Sequence, residues 1–223
     1  MDTLGGAVWE RTGVSNLSKG LYSLMVCFWT AVGVAQTAIG AYVTQSWELN
    51  LWFILGVLVV SIAGIFIALS SDKPIVSLIG YAMIAIPFGL MFGPVVAMYT
   101  TASVVKVFFL TTMVVGVLGV VGAVIPDSLD SWGGPLLGGL LLLLLGYFIV
   151  PVAGFFGLPI DTAMTVLDWA GVFLFGALVI FDLNRAMRIP YTHDNAIDSA
   201  IGIYLDFINI FIRLLALTGK KRD

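Results

Sequence analysis

Seven long apolar stretches divide this chain and leave it few charged residues with which to face water. Only 10% of its 223 residues are charged and 60% are hydrophobic, whereas a soluble domain carries about 25% charged residues. Each stretch has about 18–25 residues, enough to cross a hydrocarbon core about 30 Å thick as a helix. Because a backbone in lipid must satisfy its own hydrogen bonds, and alternating barrel segments are lacking, an all-α integral membrane fold is predicted. The seven stretches are residues 21–43, 51–69, 75–99, 104–125, 135–156, 162–181 and 200–217.

The expected organisation is one membrane domain with two short polar ends. Residues 1–20 form a polar N-terminal segment that is too hydrophilic for a cleaved signal. Residues 21–217 form the seven-helix domain, and residues 218–223 form a basic C-terminal tail. The net charge of −3 and the lack of another basic run argue against nucleic acid as a partner. Membrane lipid is the expected surrounding, and the compact chain with short tails favours a bacterial inner membrane.

The sequence leaves two models open for the last stretch. If all seven stretches span, Lys and Arg divide five against five between the two sides, so the positive-inside rule does not decide the orientation. If the last stretch is re-entrant, the count is nine against one. A full span is preferred because about 18 residues suffice to cross, but the charge bias keeps the re-entrant model open.

Two sets of glycines have spacings that favour close helix contacts. Small residues on one helix face let backbones approach each other in lipid. The fourth stretch repeats glycine every three residues, and the fifth contains a GxxxG spacing. These glycines are Gly116, Gly119 and Gly122 in the fourth stretch and Gly134 and Gly138 in the fifth.

The last stretch carries a polar stripe. At about 100° per residue, the strongly polar side chains between residues 198 and 213 fall within one arc of about 100° on a helix. A carboxylate inside a membrane costs several kcal/mol unless it meets water, a proton or a partner. We therefore expect the stripe to face protein or a water-filled path, the alternative being a purely structural hydrogen-bonded seam. Its members are Asp198, Asp206, Asn209 and Arg213.

Asp182, at the end of the sixth stretch, is the predicted partner of Asp206. A short loop joins the last two stretches, so they should be antiparallel neighbours. If the sixth helix continues through Arg185, Asp182 lies inside the boundary and can approach Asp206. Two carboxylates in a low-dielectric site cannot both ionise cheaply and would share a proton. The alternative is an interfacial acid paired with Arg185 at i+3.

Asp168 is a further acid in the sixth stretch. It precedes Asp182 by 14 residues, close to four turns, so both lie on one helix face about 21 Å apart. It could extend the polar path toward the other membrane surface. The favoured interpretation is instead an interfacial acid beside Trp169, a residue type typical of headgroup depth.

No catalytic arrangement is visible, and an enzyme is not expected. The single histidine, His193, lies in a loop, and the single cysteine, Cys27, lies in an apolar stretch. A nucleophile with a base is lacking. No cofactor is expected, and the intramembrane carboxylates are too few for a dedicated calcium cage of about six to eight oxygen ligands.

The residues around the two aspartates resemble a known family. Phe181-Asp182-Leu-Asn, followed by Tyr204-Leu-Asp206-Phe-Ile-Asn209-Ile-Phe, is similar to the signature of the Bax inhibitor (transmembrane Bax inhibitor motif) family. Residues 80–94 and 109–122 resemble it less specifically, and the resemblance extends from about residue 22 to residue 217.

This resemblance implies seven helices, the last central and surrounded by the other six. It also implies a pH-dependent leak of calcium, the permeant ion, governed by an aspartate pair that falls on Asp182 and Asp206. Glu48 matches the acidic residue after the first helix and is a candidate latch. The chain lacks the basic residue that bacterial members carry on the second helix, because none lies between Glu48 and Asp72.

Two functional hypotheses follow. The first is a pH-sensitive calcium leak channel whose gate is the carboxylate pair of the last two helices. The second is a non-conducting regulator that binds another membrane protein, such as a protease or a cell-death factor. The glycine-rich helix faces and the basic tail 220–222 favour the second hypothesis.

Overall fold

The computed structural model describes residues 15–157 and 159–222, and seven long α-helices account for most of them. All seven are long and apolar enough to cross a membrane, which confirms the predicted fold class. Residues 1–14 of the predicted N-terminal segment and Asp223 of the tail lie outside the described residues. The helices are α1 (Lys19–Val43), α2 (Leu51–Leu69), α3 (Pro74–Ala97), α4 (Thr101–Val124), α5 (Gly133–Gly154), α6 (Ile160–Ala186) and α7 (His193–Thr218), with a 3₁₀ turn at Asp130–Trp132.

Polar capping residues set where several helices begin. An oxygen of the capping side chain accepts a hydrogen bond from the backbone N–H three residues later, which satisfies one of the free donors of the first turn. The last helix begins seven residues before the predicted boundary because Thr192 caps it. Its first two turns are polar, so hydropathy alone did not include them. The four caps are Ser18, Asn50, Thr100 and Thr192.

The last helix is the most buried one in the bundle. In its most apolar window 61% of the residues are buried, against at most 33% in any other helix. Backbone contacts place α1, α3, α4 and α6 around it, whereas α2 packs on α3 and α5 packs on α6. The expected arrangement with all six helices around α7 is therefore not confirmed.

The last helix crosses the whole bundle. Its 26 residues are unbroken and extend about 39 Å at 1.5 Å per residue. The segment after it pairs with the loop between α3 and α4, where Tyr99 and Lys221 form an antiparallel bridge. That loop follows three helices, so it lies at the opposite end of the bundle from the start of α1. α7 therefore runs from one end of the bundle to the other, which favours the full span over the re-entrant model.

The glycines that bring helices together are mostly not the predicted ones. A side chain at Gly134 or Gly138 would meet nothing within 4 Å, so the GxxxG spacing does not pack against another helix. Gly122 does pack, against the backbone of Ile180. A close backbone approach that was not predicted joins α2 and α3, where a Cβ on Gly80 would lie 2.5 Å from the carbonyl oxygen of Gly64. Spacing alone failed here because in an apolar helix it does not show which face meets protein.

A threonine compensates for a proline inside α3. Pro94 has no N–H, so it leaves the carbonyl of Leu90 without its helical partner. Thr44 Oγ1 donates a hydrogen bond to that carbonyl at 3.0 Å and also reaches Gly40 O at 2.9 Å. Thr44 is fully buried. The end of α1 is thereby tied to the proline segment of α3.

Replacing Thr44 with valine should destabilise the protein. The substitution preserves shape but leaves the Leu90 carbonyl buried and unpaired, at a cost of about 1–3 kcal/mol. Unfolding in detergent, followed by circular dichroism, measures the change. The matched control is Thr112→Val, because the Thr112 hydroxyl is exposed and bonds only Phe108 O of its own helix. Equal stability of the two variants would contradict the role of Thr44.

Candidate functional site

Asp182 and Asp206 meet at the contact between α6 and α7. Asp206 is only 4% exposed, near the middle of α7. Asp182 lies one turn inside the end of α6, and its carboxylate rests on Gly202 of α7, where an added Cβ would lie 2.5 Å from Asp182 Oδ2. Gly202 is four residues before Asp206, on the same helix face. The two carboxylates interact electrostatically across the seam, so the predicted pair is formed.

The pair depends on local features of the sequence. α6 continues to Ala186, as one of the two sequence alternatives requires, so Asp182 is inside the helix. Gly202 has no side chain, and this allows the carboxylate of the neighbouring helix to reach the backbone of α7. Arg185, in the last turn of α6, acts electrostatically on Asp182. The basic group near the pair therefore comes from α6 and not from α2.

Asp206 is incompletely satisfied. Its Oδ2 atom is buried and has no hydrogen-bond partner among the described residues. A buried polar atom in this state costs free energy, which a purely structural seam would avoid. A proton shared with a neighbouring acid would lower that cost. The observation favours a titrating pair over a static hydrogen-bonded seam.

The first turns of α7 are attached to α1 and α3 by side chains that the sequence analysis did not single out. Ser77 Oγ donates to Asp194 Oδ1 at 2.7 Å, and the Tyr22 hydroxyl lies 3.0 Å from Ser199 Oγ. Asp198, a predicted stripe residue, is buried in this region. No pattern marked Ser77 or Tyr22, because single small or aromatic polar residues are ordinary in membrane helices.

Arg213 anchors a second polar cluster, two turns beyond Asp206. Its Nη1 donates to Asn209 O and to Asn209 Oδ1, both at 2.8 Å. Its guanidinium lies 5.1 Å from the ring centre of Tyr147 and 4.7 Å from that of Phe175. Such cation–π contacts stabilise a charge that has lost its water. Gly171 of α6 leaves the space that the Arg213 side chain occupies.

Asp168 belongs to this second cluster. The Tyr147 hydroxyl donates to Asp168 Oδ1, and Asp168 interacts electrostatically with Arg213. Trp169, in contrast, is exposed on another face of α6. Asp168 thus faces Tyr147 and Arg213 and not Trp169, and its position at the membrane interface stays a prediction. The signal that could have shown this is Tyr147, a polar aromatic residue within an otherwise aliphatic helix.

The polar stripe of α7 meets α6 at two points. Asp182 rests on Gly202 near one end of the contact, and Arg213 rests on Gly171 near the other, as antiparallel helices require. Asn209 is satisfied within α7, since its amide donates to Leu205 O at 2.8 Å. The two polar clusters are thus parts of one seam that α6 covers.

Glu48 stands apart from the pair. It is exposed in the loop between α1 and α2, at the opposite end of the bundle from Asp182. The structure does not bring it to the carboxylates, and its role as a latch stays a prediction. Within residues 15–157 and 159–222, no group of three or more His, Cys, Asp or Glu side chains is placed to hold a metal ion.

Comparison with known proteins assigns the chain to a family. The family model described as "Inhibitor of apoptosis-promoting Bax1" (Bax1-I) matches residues 22–223. The chain belongs to the Bax1-I family. That match covers the seam between α6 and α7, both aspartates included, and confirms the family that the sequence motifs indicated.

Bacterial relatives cover most of this Bax1-I protein. A protein of Deinococcus radiodurans is 30% identical over 212 residues, which are 87% of this chain and 88% of the relative. The inner membrane protein YbhL of Escherichia coli K12 is 23% identical over 220 residues, 90% of this chain and 92% of YbhL. YrjE of Lactococcus lactis is 30% identical over 191 residues, 78% of this chain and 75% of YrjE. The family membership and the seven apolar helices establish an integral membrane protein.

Substituting Gly202 with alanine should disturb the pair. The new methyl group would collide with the Asp182 carboxylate, and overpacking of this kind costs about 1–3 kcal/mol. Thermal unfolding of the purified protein in detergent measures the loss. The control is Gly116→Ala, because a Cβ there meets nothing within 4 Å.

A double-variant cycle ties the effect to Asp182. In the Asp182→Ala background the alanine at position 202 has no carboxylate to displace, so its cost should largely disappear. The contact between Asp182 and Gly202 would be refuted if Gly202→Ala were as harmless as Gly116→Ala, or if its cost were the same with and without Asp182.

Proposed function

We propose that this protein is a pH-sensitive calcium leak channel whose gate is the pair Asp182 and Asp206. The observation that supports it most directly is the buried, incompletely bonded carboxylate of Asp206 facing a second carboxylate across a helix seam. Ionisable groups inside a membrane domain commonly mark ion pathways or proton relays. The name of YbhL favours the bacterial inner membrane as the location.

The pair supplies a physical switch. When the two acids share a proton, a hydrogen bond joins α6 to α7 and the seam stays closed. When that proton leaves, two negative charges face each other in a low dielectric and repel. One pKa unit corresponds to about 1.4 kcal/mol, which changes a two-state population about tenfold. A small change in pH, close to the pH at which the pair titrates, therefore strongly changes the fraction of channels that are open.

The described conformation corresponds to the closed state of this gate. α6 covers the polar stripe from Asp182 to Gly171, and the ring of Phe175 lies against Arg213 in that seam. Ions would pass only after α6 and α7 separate along the stripe. Once separated, the oxygens of Asp206, Asn209 and Asp198 would line the path.

A leak does not need a dedicated calcium site. Tight coordination by about six to eight oxygens would hold the ion, and conduction requires that each site release it. The ionised pair would attract divalent cations to the path without enclosing them. Both the repulsion and this attraction grow as the proton leaves, so they predict the same direction of pH response.

Calcium entry into liposomes that contain only the purified protein should rise with pH. Asp182→Asn and Asp206→Asn each remove the titrating pair, so each variant should lose the pH dependence. Asparagine resembles a protonated acid, so entry should also stay low throughout. A calcium-sensitive dye trapped inside the liposomes measures entry across the pH range.

The matched control is Asp130→Asn, which makes the same chemical change at an exposed position before α5. It should keep the wild-type profile. An unchanged profile in the Asp182 and Asp206 variants would refute the gate. Absence of any leak from the wild-type protein would favour the second hypothesis, a non-conducting regulator of another membrane protein.

Replacing Arg213 tests whether calcium ions pass along the whole polar stripe of α7. A fixed guanidinium on the path opposes a divalent cation, so Arg213→Gln should increase calcium entry without moving the midpoint of the pH profile. Tyr147→Phe is the control, because it keeps the ring under Arg213 but removes the hydrogen bond to Asp168. Unchanged flux in a folded Arg213→Gln protein would show that the path leaves the stripe before this residue.

A further inference from the structure

The C-terminal tail does not leave the protein after α7. Lys221 forms an antiparallel bridge with Tyr99 in the loop between α3 and α4. The N–H of Thr100 donates to Lys220 O at 2.9 Å, and the N–H of Arg222 donates to Met98 O at 2.9 Å. These backbone bonds fix the course of three consecutive basic residues.

Side chains strengthen this attachment. The N–H of Lys220 donates to Ser103 Oγ at 2.7 Å, and Arg222 Nη2 donates to Thr101 Oγ1 at 3.3 Å. Tyr99 is buried beneath the tail, and Gly219 provides the space for its ring. The tail is thus held on both sides of the bridge, so its cations are presented at defined positions.

Four exposed cations gather at this end of the bundle. Lys220, Lys221 and Arg222 are exposed on the tail, and Lys106 is exposed on the second turn of α4. Lys106 follows Ser103 by three residues and so shares its helix face, which is the face that bonds the tail. We call these four residues the basic clamp.

The basic clamp has no counter-charge within residues 15–157 and 159–222. None of its four side chains forms an ion pair with an acid of that part of the chain. Of the acids at the same end, Glu48 and Asp161 are exposed elsewhere. Asp168 acts electrostatically on Tyr99 beneath the tail, but it accepts the hydrogen bond of Tyr147 and interacts with Arg213. At the opposite end, in contrast, Arg185 acts on Asp182, and Arg188 bonds Asn184 and Pro126 O.

Aromatic residues place this end at the membrane surface. Tyr42, Trp47 and Trp52 are exposed around the loop between α1 and α2, which lies at the same end as the tail. Tyr and Trp are enriched where headgroups meet the hydrocarbon core. The basic clamp therefore lies at the depth of lipid headgroups.

We propose that the basic clamp binds the phosphate headgroups of anionic phospholipids in the surrounding leaflet. Juxtamembrane lysine and arginine clusters attract anionic lipid, and the ordered backbone means that little chain entropy is lost on binding. The surface needs no soluble ligand, because the bilayer itself supplies the phosphate. Since the clamp follows directly from α7, bound lipid would also hold the end of that helix.

Direct binding to the full-length protein in detergent tests the proposal. Dansyl-labelled phosphatidylglycerol is titrated in, and energy transfer from tryptophan reports its binding. The wild type should bind it more tightly than dansyl-labelled phosphatidylcholine. Lys220→Gln with Lys221→Gln should weaken phosphatidylglycerol binding by about fivefold for each lysine, or roughly 25-fold together.

Two matched variants distinguish lipid binding by the basic clamp from an effect of the net charge of the protein. Lys19→Gln with Lys73→Gln removes the same charge from exposed positions at the other end of the bundle and should leave binding unchanged. Lys220→Arg with Lys221→Arg keeps the charge and should restore binding. Thermal unfolding of each variant confirms that it is folded.

Three outcomes would overturn the proposal. Equal affinity for the two lipids would show that the headgroup charge is not recognised. An equal loss in the Lys19 and Lys73 variant would show that only net charge matters. Displacement of the lipid by inorganic phosphate at the same concentration would assign the surface to a free anion. None of these readouts depends on calcium flux, so the result stands apart from the proposed channel activity.

Discussion

The contact of the Asp182 carboxylate with the backbone of Gly202 determines how the last two helices of this protein relate to each other. Gly202 has no side chain, and this lets an acid of α6 approach within reach of a second acid on α7. Two carboxylates in such a place are costly when both are ionised. The proposed gate rests on this cost, because it would make the seam stable in one protonation state and strained in the other.

The rest of the bundle holds α7 in position for that contact. Ser77 and Tyr22 attach its first turns to α3 and α1, and Tyr204 meets Thr37 at 2.6 Å farther along. At the far end, Arg213 lies between aromatic rings of α5 and α6. α7 is thus bonded to its neighbours at several points along its length, while Oδ2 of Asp206 has no hydrogen-bond partner among the described residues.

Several features could be predicted from sequence because each depends on local chemistry. Hydropathy located the seven spans, and the 3.6-residue period put Asp206, Asn209 and Arg213 on one face of α7. The partner of Asp206 followed from the short loop between antiparallel helices. Contacts between distant helices could not be predicted in this way. Tyr147 and Ser77 are single polar residues in apolar segments, and only the packing shows that they face Asp168 and Asp194. The GxxxG spacing at Gly134 misled for the same reason, since spacing does not identify the face that meets protein.

The central claim is that Asp182 and Asp206 titrate as one unit. Infrared spectroscopy of the purified protein across pH follows the carbonyl band of protonated carboxyl groups, and the difference between the wild type and each Asp→Asn variant assigns the bands. The account predicts that replacing either aspartate changes the titration of the other, because the two acids hold one proton between them. If each aspartate titrates in the same way with and without its neighbour, the acids are independent and the account is contradicted.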